Sequence, residues 1–199
     1  MTAAFRIASL CLLGATALQA QPELSVVTWP TANAPAAFHD SIARADLIVV
    51  SLQDALQREL ARALAQGGPA FAIQSCHIDV VGVTRRIGRE RGVTAGRTSD
   101  RLRNPANVPP PWAMPLVKAH AGRLAREVDG FVVDLGDAVG LLRPIAQRTV
   151  CTPCHGPVHK IDPAVHAALA ARYRADRAVG FRKGEIRGWF WVEVPKYLR

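Results

Sequence analysis

Two thiols and an imidazole fall within five consecutive positions, Cys151-Thr152-Pro153-Cys154-His155. That run fits the attachment signature of a c-type haem, C-x-x-C-H. Thiols three positions apart can reach the two vinyl groups on one edge of a porphyrin. The histidine after the second thiol is then held beneath the iron with a ring nitrogen toward it. A thioredoxin-like redox pair shares C-x-x-C, but it opens a helix after an early strand, and this pair comes late in the chain. A structural zinc site needs a second ligand pair at regular spacing. His159 and Cys76 are the available recruits, and no paired motif contains them. A plain disulfide is the remaining alternative.

A haem held by one histidine has a second axial position. The candidates are Cys76, Met114, His39, His77, His120, His159 and His166. Methionine and histidine are the usual partners in electron-transfer haems. The cysteine count favours a different choice. Of four cysteines, Cys11 lies in an N-terminal apolar run, and thioethers would consume Cys151 and Cys154. Cys76 is then left over in a compartment where thiols normally pair. It falls near the expected start of a helix, where the dipole and unpaired amides favour thiolate. A small buried apolar residue is an equally ordinary reading of it. Residue types alone leave Cys76, His77 and Met114 open.

The first twenty residues explain that compartment. Arg6 is the only charge in Met1–Ala20, and Ile7–Leu18 is apolar or small apart from Ser9 and Thr16. This reads as a secretory signal peptide cleaved after Ala17 or Ala20, with the product expected in the periplasm or otherwise exported. No later apolar run approaches membrane length. The 199 residues, 49% of them hydrophobic, imply one domain. The expected layout is a signal at 1–20, a poorly ordered lead-in at 21–35 and a haem-binding domain at 36–199. A net charge of +9 suits acidic protein partners, anionic lipid surfaces or haem propionates. Nucleic acid is not an expected partner of an exported chain.

Periodicity supplies the elements. Ile42, Leu47, Ile48, Leu52, Leu56, Leu60 and Leu64 mark an amphipathic helix over 35–66, ended by Gly67-Gly68-Pro69. Phe71-Ala72-Ile73 is a short strand candidate, followed by a second helix over 79–91. A strand over 93–99 enters the proline-rich loop 104–111, and another helix spans 114–127. Two apolar runs, 131–135 and 139–142, joined through Gly136-Asp137, predict a hairpin. A helix over 163–174 and an alternating strand over 186–194 complete an α+β domain with a mostly antiparallel sheet. Arg97, Arg101, Arg103 and Asn104, stiffened by prolines, are placed to pair with haem propionates.

Four segments occur in a telling order: AIQSC (72–76), GRTSDRLRNPANVPPPW (96–112), RPIAQRTVCTPCHG (143–156) and YRADRAVGFRKGEIRGWFWVEVP (173–195). Over about residues 36–195 the chain resembles the Tll-like family of exported c-type haem proteins. The resemblance implies a PAS-like antiparallel sheet flanked by helices, with a long N-terminal helix. It implies that Cys151, Cys154 and His155 bind one covalent haem c, and that Cys76, ending the AIxxC motif, is the distal iron ligand. One departure is visible: the family pattern calls for an acidic residue beside its tryptophan, and this chain has Pro111-Trp112-Ala113-Met114.

The expected function is that of a monohaem c-type cytochrome with His155 and Cys76 as axial ligands, exchanging single electrons with a redox partner protein. The alternative is a redox or gas sensor acting through a membrane signalling protein. With both axial positions taken by protein, no open position is left for a substrate, so peroxidase-type catalysis is disfavoured and no enzyme is expected.

Overall fold

Strict alternation of large apolar residues builds the centre of the fold. In the computed structural model, which describes residues 26–197, β3 (Phe131–Asp134) and β4 (Ala138–Ala146) form the expected hairpin. β4 pairs along most of its length with β5 (Ile186–Pro195). β2 (Thr94–Thr98) closes one edge beside β5, and β1 (Thr28–Pro30) the other beside β3. The result is a five-stranded antiparallel sheet in the order β1-β3-β4-β5-β2, and an α+β fold. β1 falls in the stretch read as a poorly ordered lead-in. Its three residues have too little periodicity to announce a strand, and pairing with β3 makes it one. The segment read as a signal peptide lies outside the described residues.

Because side chains alternate across a strand, the sheet presents two apolar faces. Val132, Val139, Leu141, Phe190, Val192 and Val194 face the long helix α1 (His39–Arg91), meeting Phe38, Ala45, Ile48, Val49, Leu52 and Ile87. Val133, Leu142, Ile186 and Trp189 face the other way, against Trp112, Ala113 and Val117 around α2 (Met114–Ala119). The indole of Trp112 donates to Glu193 of β5 at 2.8 Å. The tryptophan thus finds a carboxylate from across the fold. Arg143 of β4 ties α1 to the sheet, reaching both carboxylate oxygens of Asp46 at 2.8 and 2.7 Å.

The long helix is not straight. Leu52 and Ile87 pack into one cluster, yet thirty-five residues of unbroken helix would separate them by about 53 Å. The chain therefore turns back at Gly67 and Gly68, whose backbone angles are non-helical (φ −165°, ψ 19° and φ 70°, ψ −169°). The first arm runs over 39–66 and the second over 69–91. Pro69, well suited to the first position of a helix, opens the second arm at once. Phe71-Ala72-Ile73 is consequently helix and not strand. Ala72 and Ile73 are buried, so the short apolar run is the inner side of a helical turn. Cys76 lies seven residues into this arm, past the first turn where a helix end acts on a charge. The expectation that a helix N-terminus favours its thiolate is thereby withdrawn. The helix expected over 114–127 ends at Ala119, and only a 3-10 turn, Ala125–Glu127, follows.

Gly68 occupies a region of backbone space that is essentially glycine-only, with no neighbour to resist a methyl group. Gly68→Ala is expected to cost roughly 1–3 kcal/mol through backbone strain alone, read as a lowered thermal midpoint.

Candidate functional site

Both cysteines of the motif belong to one short helical stretch. A 3-10 turn, Thr149–Cys151, runs directly into α3 (Thr152–His155), so positions 151 and 154 are about one turn apart and share a face. Both side chains are half-buried, and they are not joined in a disulfide. Cys154 packs into a small cluster with Ile73 of the second arm of α1 and Ile161, Val165, Ala168 and Leu169 around α4 (Pro163–Arg172). The guanidinium of Arg172 donates to the carbonyl of Gln74 at 3.1 Å. The backbone of α1 is thereby fixed beside the motif just ahead of Cys76. The side chains of Cys76 and His77 lie outside the described residues.

His155 is held by segment 176–181. Its Nδ1 meets the carbonyl of Ala178 at 2.7 Å. A carbonyl can only accept, so Nδ1 carries the proton and Nε2 keeps its lone pair. The amides of Gly180 and Phe181 donate to the carbonyls of Gly156 and His155 at 2.8 and 3.0 Å. Arg103 completes the bracket. Its Nε donates to Asp176 at 3.1 Å, and its Nη2 to the carbonyls of Cys154 at 2.5 Å and Ala178 at 3.3 Å. Asp176 in turn accepts the amide of Ala178 at 2.8 Å in an Asx turn.

By exposed surface the His155 ring is only half-buried, but protein crowds enough of its sides that desolvation dominates its ionisation. Burial first, then the positive charges of Arg187, Arg103 and Arg97, hold its pKa well below the usual histidine range, against the pull of the Ala178 carbonyl. The ring is therefore a neutral imidazole with Nε2 as a base or ligand atom. One turn of chain thus offers two sulfurs and an imidazole nitrogen, a set able to hold a metal-bearing macrocycle.

The other candidates separate on geometry. Arg97 and Arg103 both act electrostatically on His155 and stay with the site. Arg101 is engaged elsewhere: it stacks over the Phe181 ring at 3.5 Å, donates to the carbonyl of Val179 at 3.1 Å and pairs with the buried Glu185. Asn104 caps a 3-10 turn by accepting the amide of Ala106 at 2.9 Å. His120 bonds the carbonyl of Leu116 and packs on Phe131 and Trp189, across the sheet from the face that α1 covers. Met114 opens the same α2 helix. His39, His159 and His166 are exposed or nearly so, and His166 bonds the carbonyl of Val158 at 3.0 Å. Among the described residues, no three His, Cys, Asp or Glu side chains gather as ligands of a bare metal ion would.

Three contributors, Asp176, Ala178 and Arg187, lie in the family-like segment 173–195 without being singled out by residue type or spacing. Ala178 acts through its backbone carbonyl. Arg187 sits at a register shift, since Ile145 pairs with Gly188 but Ala146 pairs with Ile186. It is the extra residue of a β-bulge, a device that re-aims a side chain. Within that segment, the Gly-Glu-Ile-Arg-Gly run entering an alternating strand is the local hint of the bulge.

An α+β domain with an antiparallel sheet in PAS-like style and a C-x-x-C-H turn beside it is the class that fold and site define. The chain belongs to the Tll0287-like family, whose model matches residues 32–195. Its fold is similar to that of a solved structure, the cyanobacterial heme-protein Tll0287, with 18% identity, 81% of this chain and 98% of that one covered, and a TM-score of 0.58. No curated protein matches the chain.

Removing Arg103 takes one donor each from Asp176 and from the carbonyls of Cys154 and Ala178, although Ala178 keeps the His155 ring and Asp176 keeps the Ala178 amide. Arg103→Met is expected to cost roughly 1.5–3 kcal/mol, the range for hydrogen bonds to charged groups, measured as a shift of the denaturant midpoint at unchanged slope.

Proposed function

We propose that this chain is an exported monohaem c-type cytochrome, with the haem on Cys151 and Cys154, His155 as one axial ligand and Cys76 as the other. It exchanges single electrons with a partner protein outside the cytoplasm. The observation that carries this reading is the hydrogen bond from Nδ1 of His155 to the Ala178 carbonyl. It fixes the tautomer and ring plane and leaves Nε2 as a neutral donor, which is what a proximal ligand needs. The relative of similar fold is a heme-protein, which supports the same cofactor here.

Cys151 and Cys154 would hold the haem by adding each S–H across one vinyl double bond, sulfur to one carbon and hydrogen to the other, with nothing released. When bound, the haem supplies a one-electron ferric–ferrous couple. The chain's own part is to present the two sulfurs from one turn, hold the imidazole and supply positive charge for the haem carboxylates through Arg97 and Arg103. For Cys76, the support is its place in the AIxxC motif and the pinning of its helix arm. Ile73 shares a cluster with Cys154, and Cys76 follows Ile73 by three residues, about one turn. A thiolate donor stabilises ferric iron and lowers the potential.

Protein matured in a host with a haem-attachment apparatus is expected to keep its colour through acidified acetone and to show the mass of one haem adduct. In Cys76→Ala the ferric Soret band should move, and ferrous wild type should not bind carbon monoxide. Colourless protein at apoprotein mass defeats the reading. An unchanged mutant spectrum removes sulfur ligation alone. Carbon monoxide binding to ferrous wild type shifts the function from carrier to sensor acting through a membrane signalling protein.

A further inference from the structure

Arg187 is the charged group of this region that the proposed site does not use. Its Nε is buried and without a hydrogen-bond partner, and among the described residues it forms no ion pair with a carboxylate. Its neighbours are of the wrong sign: Arg103, already paired with Asp176, and Arg148. Burial first lowers its pKa, with the nearby Cys151 acting in the opposite sense. Arginine nonetheless remains charged near neutrality. A charge with its Nε buried and no carboxylate partner is costly, and the fold takes trouble to place this one. The β-bulge turns it out of the alternation, and Ser99 satisfies the carbonyl of the bulged residue at 2.9 Å.

We propose that Arg187 is the built-in counter-cation of the site, matched by the negative charge that the bound haem brings, namely its carboxylates and its sulfur ligand. This rests on the haem reading above. Reduction of the iron adds one electron to the same surroundings. Arg187 therefore favours the ferrous form, offsetting part of the ferric preference set by thiolate. Arg97 and Arg103 add charge of the same sign, that of Arg103 being partly offset by Asp176. Arg187 is a positioning and tuning residue, with no part in binding the iron.

The test is redox titration of covalently loaded wild type, Arg187→Gln and Arg187→Lys. A unit charge at effective dielectric about 20 and a distance on the order of 10 Å changes an equilibrium by about tenfold. Arg187→Gln should therefore favour the ferric form by about tenfold, a midpoint lower by about 59 mV for one electron. Arg187→Lys should stay within about twofold of wild type. An unchanged midpoint in Arg187→Gln overturns the proposal, and so does an equal fall in both variants, which would assign the effect to packing. If Arg187→Gln does not accumulate, Arg187→Lys decides: a wild-type midpoint supports a charge role, and loss of haem or a tenfold shift overturns it. Wild type without covalent haem defeats the underlying cytochrome reading instead, by mass and before any potential is measured.

Discussion

The carbonyl of Ala178 is the point on which this site turns. It accepts from the Nδ1 of His155 and from Arg103, and Arg103 also grips the carbonyl of Cys154. One guanidinium and one peptide oxygen thus join the cysteine turn, the histidine ring and the loop that precedes β5. Each contact is modest in isolation, since net hydrogen-bond contributions are about 0.5–1.5 kcal/mol. Their value lies in sharing. The ring cannot rotate without disturbing the same oxygen that Arg103 holds, and Arg103 is itself fixed by Asp176. The bracket thus fixes the plane of the ring and with it the position of the unprotonated Nε2.

The sheet divides the molecule between anchoring and chemistry. Trp112, Ala113 and Val117 close one face, and Met114 and His120 belong to that layer. α1 covers the other face, and its second arm continues beyond the sheet to meet α4 and Cys154. β5 runs under both layers. At one end it carries Glu193, which accepts from Trp112, and at the other Arg187 near the cysteine turn. The strand is the rigid reference against which both sides are set.

What the sequence made legible was local. Cys151, Cys154 and His155 are adjacent along the chain, so their relation survives without knowledge of the fold. The hairpin at Gly136-Asp137 and the alternation over 186–194 are likewise short-range patterns, and the structure has them where they were expected. The helix reversal was half legible. Gly67-Gly68-Pro69 announces an end, but nothing local says that a helix restarts at once, and three apolar residues cannot distinguish strand from helical turn. The bracket was illegible for another reason. Ala178 contributes an atom every residue possesses, and the partner of an arginine is chosen by tertiary contact. Hence Arg101 and Arg103 look alike in sequence, yet one stacks on Phe181 beside Glu185 while the other grips the cysteine turn.

The register shift at Ile145/Ala146 has a bearing on how this strand can vary through time. From Gly188 onward the two faces of β5 are assigned by parity, odd positions toward Trp112 and even ones toward α1. The irregularity resets that count just before the cysteine turn is approached. Single-residue gains or losses between 187 and 193 would exchange the two faces wholesale, whereas like-for-like replacements leave them in place. Lineages descended from a common ancestor should therefore conserve the spacing of this stretch more strictly than the identity of any one residue in it.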